Sequence, residues 1–241
     1  MTYEQVISDA AVRTYIARAD MTLEALGFTE HSFAHVTQVV QRCAYILQTL
    51  GYDDRTVELA KIAGYLHDIG NVVNRVDHSQ SGAVMAFRIL DKMGMEPEEL
   101  ATIVSAIGNH DEGTGVPVDA VAAALILADK SDVRRSRVRN MNRSDFDIHD
   151  RVNYSVTSAS LEISPDKRVI CLTLSVDTDF GSIMDYLEIF MGRMLLCRKA
   201  AEKLGLSKCF HNRSLSIFRC ENLFLFGALF IVIKLSRSSK E

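Results

Sequence analysis

Residues 56–70 read TVELAKIAGYLHDIG. Apolar residues fall on nearly every face of a helix drawn through this stretch, and Asp53 and Asp54 ahead of it suit a first turn, so a buried, central helix is predicted. That helix carries His67 and Asp68 side by side. A buried carboxylate is costly unless it is paired or bound to a cation, so Asp68 demands a partner.

Working outward, the segment before this helix places Val36, Val39, Val40, Cys43, Ala44, Leu47 and Leu50 at helical spacing after HSFAH, with Gly51 as a stop. On the other side, SGAVMAFRILDKMG (81–94) and PEELATIVSAIGNH (97–110) are helical patterns separated by Gly94 and Pro97. VDAVAAALILADKSD (118–132) is another, after the breaker-rich GTGVP. Further on, VTSASLEI (156–163) and RVICLTLSV (168–176) alternate around SPDK, which predicts a β-hairpin, and a helix follows from about Ser182 to Leu204.

These patterns predict a mainly α fold: a helical bundle over residues 1–150, a β-hairpin plus C-terminal helix appended to it over 151–208, and an atypical apolar tail over 209–241. In that tail NLFLFGALFIVIKL has an uncharged core of about a dozen residues, short of the roughly 20 that span a bilayer. A buried helix or strand, or a tail without a fixed role, is expected there rather than a membrane anchor.

The 241 residues suffice for one well-buried core, and 48% hydrophobic against 24% charged residues is ordinary globular composition. A net charge of −4 argues against a general nucleic-acid binder, which needs a basic footprint to displace counterions. The five cysteines form no CxxC pair and the first twenty residues lack the apolar core of a signal peptide, so reduced thiols and a cytoplasmic location are expected.

Other groups raise the same demand as Asp68. Asp129 continues the face formed by Ala122, Leu125 and Ile126, His110 continues that of Ile103 and Ile107, and His35 sits at the margin of its helix's apolar stripe. Each has a bland account: His35 as an ordinary core or surface residue, Asp68 in a salt bridge, Asp129 paired with Lys130 or capping its helix. One divalent cation would satisfy them all, since imidazole nitrogen and carboxylate oxygen are its usual ligands.

The order of these residues, His35, then the adjacent His67-Asp68, then the distant Asp129, resembles the HD superfamily of metal-dependent phosphohydrolases, and LHDIGN and ILADKSD look like its flanking sequences. The resemblance covers roughly residues 30 to 140. It implies an all-helical core with the metal held between helices by His35, His67, Asp68 and Asp129. His78 and His110 are similar to the extra ligands of its two-metal branches, in which Asp68 would bridge the ions. Those branches include dinucleoside tetraphosphate hydrolases and the HD-GYP cyclic-dinucleotide phosphodiesterases.

The expected activity is hydrolysis of a phosphoester or phosphoanhydride by metal-activated water, with Asp68 and His110 in the catalytic machinery. One or two ions of iron, manganese, cobalt, nickel or zinc would serve as cofactor. The expected substrate is a nucleotide or polyphosphorylated small molecule. HDEGTGVP (110–117) looks like a shortened HD-GYP signature, but Asp111, Val116 and Asn71 stand where that group has a histidine, a tyrosine and a lysine. A cyclic-dinucleotide phosphodiesterase is therefore the alternative within enzymes, and a metal-stabilised binding or signalling module without turnover the alternative outside them.

The basic run after Asp129 makes Lys130, Arg134 and Arg135 candidate phosphate-binding residues, against the reading of a solvated helix face. His31, one helical turn before His35, could reach a second metal or lie exposed, while His149 and His211 fall outside the motif region. No nucleic-acid or membrane partner is expected. The hairpin and final helix could form a homodimer contact or a lid.

Overall fold

In the computed structural model, residues 1–140, 142–206, 223–226 and 229–236 are described. The helices are α1 (Tyr3–Ser8), α2 (Ala10–Ala25), α3 (Phe33–Leu50), α4 (Asp54–Leu66), α5 (His78–Lys92), α6 (Pro97–Gly108), α7 (Ala120–Lys130), α8 (Ile148–Ser155) and α9 (Ile183–Lys203). Their ends follow from local chemistry. Ser32, Asp53 and Asp119 cap α3, α4 and α7 by accepting backbone N–H bonds, and Gly51 closes α3 in the left-handed conformation at φ 91°, which costs glycine little.

Helix α7 forms the centre of the bundle. Val121 through Ala128 are all buried, as its run of alanine, leucine and isoleucine allows on every face. It packs against α3, α4, α6 and α9, while α3 lies along α4 and α5 along α6. Ile46, Leu47, Ile62, Leu66, Ile103, Ile107 and Leu125 are fully buried between these helices. Each side chain of this kind contributes about 1.5–3 kcal/mol on burial.

One boundary differs from the sequence reading. Helix α4 ends at Leu66, so His67 and Asp68 stand at its C-terminal exit rather than within it, and the chain passes into a 3₁₀ turn over Ile69–Val72.

The predicted hairpin is present as β1 (Val156–Ile163) and β2 (Ile170–Asp177), paired antiparallel, and it belongs to a larger sheet. The described part of the apolar tail supplies β3 (Leu223–Phe226) and β4 (Leu229–Ser236), giving the order β1-β2-β4-β3 with β4 parallel to β2. Ile231, Val232 and Ile233 are buried, so an apolar run too short for a bilayer finds its partners in a sheet. Leu172 and Leu174 of β2 belong to the same apolar core as the helices. Among the described residues no helix is long and apolar enough to cross a membrane.

Candidate metal centre

Five helix ends meet at one side of the bundle. The C-terminal exit of α4 brings His67 and Asp68, the segment after α6 brings His110, and the last turn of α7 brings Asp129. The first turn of α3 brings His35, and His78 is the first residue of α5. The three C-terminal ends turn partial negative charge toward this region and the two N-terminal ends partial positive charge, leaving a balance of one end in favour of a cation.

Four of these side chains close on one point. His35 Nε2 lies 3.3 Å from His67 Nε2, 3.3 Å from Asp129 Oδ1 and 3.6 Å from Asp68 Oδ2. His67 Nε2 lies 3.2 Å from Asp68 Oδ2 and 3.7 Å from Asp129 Oδ1. Donor atoms that share a cation at about 2.1 Å stand about 3.0–3.4 Å from one another in octahedral or tetrahedral arrangement; three of these five separations fall in that range, and the other two, 3.6 and 3.7 Å, lie just beyond it. A second cluster adjoins the first: His78 Nε2 is 3.2 Å from His110 Nε2 and 3.5 Å from Asp68 Oδ1. His67, Asp68 and His110 also place ligand atoms within 4.8 Å of one another, so the two clusters are continuous.

The donor chemistry is as telling as the distances. His67 Nδ1 donates to the Gly64 carbonyl at 2.9 Å, His78 Nδ1 to that of Arg75 at 3.1 Å, and His110 Nδ1 to that of Ile107 at 2.6 Å. His35 Nδ1 meets Asp132 Oδ2 at 2.8 Å. Carbonyls and carboxylates only accept here, so each ring carries its proton on Nδ1 and turns the Nε2 lone pair inward. Four buried lone pairs and two carboxylates facing one another need positive charge between them. The Asp68 and Asp129 carboxylates outweigh burial and raise the His67 pKa to about 10, so a proton and a cation compete for that nitrogen. Burial opposes the ionisation of Asp129, but Lys130 and the imidazoles hold its carboxyl well below the usual range. Burial lowers both His78 and His110.

Gly70 explains how His78 comes so close. A Cβ there would lie 2.0 Å from the His78 carbonyl oxygen and 2.4 Å from the Gly82 nitrogen, both backbone atoms. Gly70→Ala is therefore expected to push the start of α5 outward and to cost about 3 kcal/mol. A cation held beside His78 and His110 would be lost, while one at the His35 end would stay. Thermal melts with elemental analysis check this, and an alanine variant with parental melting temperature and metal content would contradict it.

A cavity of about 410 Å³ opens onto the clusters, with Asp68, His78, Asp129 and Lys130 in its wall. Of the proposed phosphate-binding residues, Lys130 is in this wall, but its Nζ pairs with Asp129 Oδ2 at 2.7 Å. Arg134 and Arg135 are not brought to the clusters. Arg134 is bound to Asp132 and Glu30, each at 3.0 Å, and Arg135 to Asp177 at 3.1 Å, so their ion pairs turn them to another face. Arg75 from the turn before α5, Arg137 from the turn after α7, and Arg193 from α9 line the cavity instead, and the sequence reading singled out none of them. His31 and His149 line it too, His31 with its ring centroid 5.4 Å from that of His35. Asn71 was read only as a departure from a lysine, yet its Nδ2 donates to Asp68 Oδ1 at 2.9 Å. His211 lies outside the described residues.

The comparisons with known proteins agree with this geometry. The family model of the HD domain matches residues 32–145, which contain all six clustered histidines and aspartates. An uncharacterized protein of Methanocaldococcus jannaschii, MJ1020, is 27% identical over 186 residues, covering 67% of this chain and 69% of that protein. Ribonuclease Y of Lawsonia intracellularis is 36% identical over 108 residues, 44% of this chain but 18% of the ribonuclease. No solved structure matches. Residues 32–145 of this chain are an HD domain, the domain that defines the HD superfamily of metal-dependent phosphohydrolases.

Proposed function

We propose that this chain hydrolyses a phosphoester or phosphoanhydride of a small molecule, a nucleotide or polyphosphorylated compound, with two divalent cations. The observation that carries this reading is the division of Asp68, whose Oδ2 faces His35 and His67 while its Oδ1 faces His78. His35, His67, Asp129 and Asp68 Oδ2 would hold one cation, and His78, His110 and Asp68 Oδ1 the other. Bound there, divalent cations supply a water acidic enough to ionise near pH 7 and a Lewis acid for the phosphoryl oxygen.

The chain's own groups orient and hold. Lys130 keeps Asp129 Oδ2 occupied at 2.7 Å, which leaves Oδ1 turned to the two imidazoles. Arg75 Nη1 stands 3.4 Å from His78 Nε2 and 4.0 Å from Asp68 Oδ1, at the edge where a phosphate would enter, and a guanidinium fork suits phosphate oxygens. Arg137 and Arg193 add positive charge to the cavity lining. The carboxylates of Asp147 and Asp150, which also line the cavity, and the net charge of −4 favour a small substrate over a long polyanion.

Ribonuclease Y is named for action on RNA, so phosphodiesters form the second class of substrate to examine. A panel of nucleotides, polyphosphates, cyclic dinucleotides and an RNA oligomer, assayed with added manganese or iron, tests the reading. Release of phosphate or nucleotide from a small ester is the expected result. A protein that binds metal stoichiometrically and turns over none of them is the non-catalytic module instead.

A further inference from the structure

Three of the four clustered imidazoles are anchored by backbone carbonyls, which no side-chain substitution removes. His35 is anchored by the Asp132 side chain, 1% exposed, through Oδ2 at 2.8 Å. The other oxygen, Oδ1, accepts from Arg134 Nε at 3.0 Å. Arg137 Nη1 lies 3.7 Å from Oδ2 and donates to the Asp132 carbonyl at 2.7 Å, and Arg42 Nη1 lies 4.0 Å from Oδ1. A carboxylate among three guanidiniums stays ionised, and here the arginines and His35 hold its pKa well down in spite of its burial.

Two arginines of this cage also reach the segment ahead of α3. Arg134 Nη2 reaches Glu30 Oε2 at 3.0 Å and Arg137 Nε donates to the Glu30 carbonyl at 2.8 Å. Glu30 in turn accepts from the Ser32 backbone at 2.7 Å, and Ser32 caps the helix that carries His35.

We infer that Asp132 is a positioning residue: by accepting from His35 Nδ1 it decides which ring nitrogen faces the clusters, and cation retention at that end depends on it. The inference rests on the metal reading above. The requirement for two acceptor oxygens makes it testable. An asparagine has one acceptor and one NH₂ group, so one side must fail. With the NH₂ toward Arg134, donor meets donor. With the NH₂ toward His35, Nδ1 must accept, and the ring proton moves to Nε2, where the lone pair is needed.

The experiment compares the full-length parent with Asp132→Asn in two measurements: the ring tautomer of His35 by ¹⁵N nuclear magnetic resonance, and zinc affinity by competition with a chelator. The expected result is a parent His35 with its proton on Nδ1, a variant shifted toward the Nε2-protonated form, and zinc binding weakened about 10- to 100-fold. Arg134→Gln breaks the cage without touching His35. It is expected to melt lower yet bind zinc within about twofold of the parent, whereas a merely structural Asp132 would make both variants lose stability and affinity together. If Asp132→Asn does not fold, Asp132→Glu displaces the carboxylate by one methylene and should show the same loss of zinc affinity. A folded variant with the parental tautomer and parental affinity overturns the inference. A parent that takes up no zinc or manganese overturns the metal reading instead, and the tautomer comparison still decides the role of Asp132.

Discussion

Asp68→Asn is expected to leave the protein with less than about a tenth of its bound metal and to lower hydrolysis at least about 1,000-fold. No other side chain in the site serves both clusters with separate oxygens. Oδ2 stands 3.2 Å from His67 Nε2, and Oδ1 stands 3.5 Å from His78 Nε2 while accepting from Asn71. An amide removes the negative charge that two cations would share and puts an NH₂ group, which cannot ligate, in place of one oxygen, so one site would lose its ligand and the other would keep only a neutral oxygen. Elemental analysis of the purified variant, with circular dichroism to establish its fold, checks the expectation. A folded variant that keeps two equivalents of metal would remove Asp68 from the centre of the site.

His110→Ala is the second large effect, and it separates a two-cation site from a one-cation site. His110 is 1% exposed, with Nε2 3.2 Å from that of His78, and it makes no part of the His35, His67 and Asp129 triad. Its removal is expected to take away about one equivalent of metal, leave the other, and reduce activity by orders of magnitude. Because Nδ1 is bound to the Ile107 carbonyl, truncation also leaves a small cavity and removes that hydrogen bond, which lowers stability by about 2 kcal/mol under either reading. The melting temperature therefore decides nothing here and metal stoichiometry does. Equal stoichiometry in variant and parent would refute the second cation, whatever happened to the rate.

The helical bundle was legible because its cause is local. A 3.6-residue apolar period marks α3 and α6, a continuous apolar run marks α7, and acids or glycine mark their ends. The ligands were legible for the same reason: a polar group continuing an apolar face, as Asp129 follows Leu125 and Ile126, is visible in one helix taken alone. What could not be read depends on pairs distant in the chain. Arg134 and Arg135 follow Asp129 closely, but Glu30 and Asp177 claim them, while Arg75 and Arg193 reach the cavity from segments far from it in sequence. Asp132 was in view beside Asp129, yet its bond to His35 spans 97 positions. The tail was ambiguous because an apolar run without period fits helix or strand equally, and its role follows from the edge of β2.

That edge has a consequence for how the chain is made. β2 pairs with β1 across a short turn, but its other neighbour, β4, is parallel to it and begins at Leu229, beyond all of α9. Parallel partners need such a crossover, and non-local pairing of this kind forms late. At about 5–20 residues per second, the ribosome needs several seconds to pass from Asp177 to Ser236. Throughout that interval β2 offers a row of unpaired N–H and C=O groups along Ile170–Asp177, the feature by which strands of separate copies adhere. Helices α1 to α8 all precede β2 in the chain, so the described strand that emerges last, β4, closes the sheet after those helices have been synthesised.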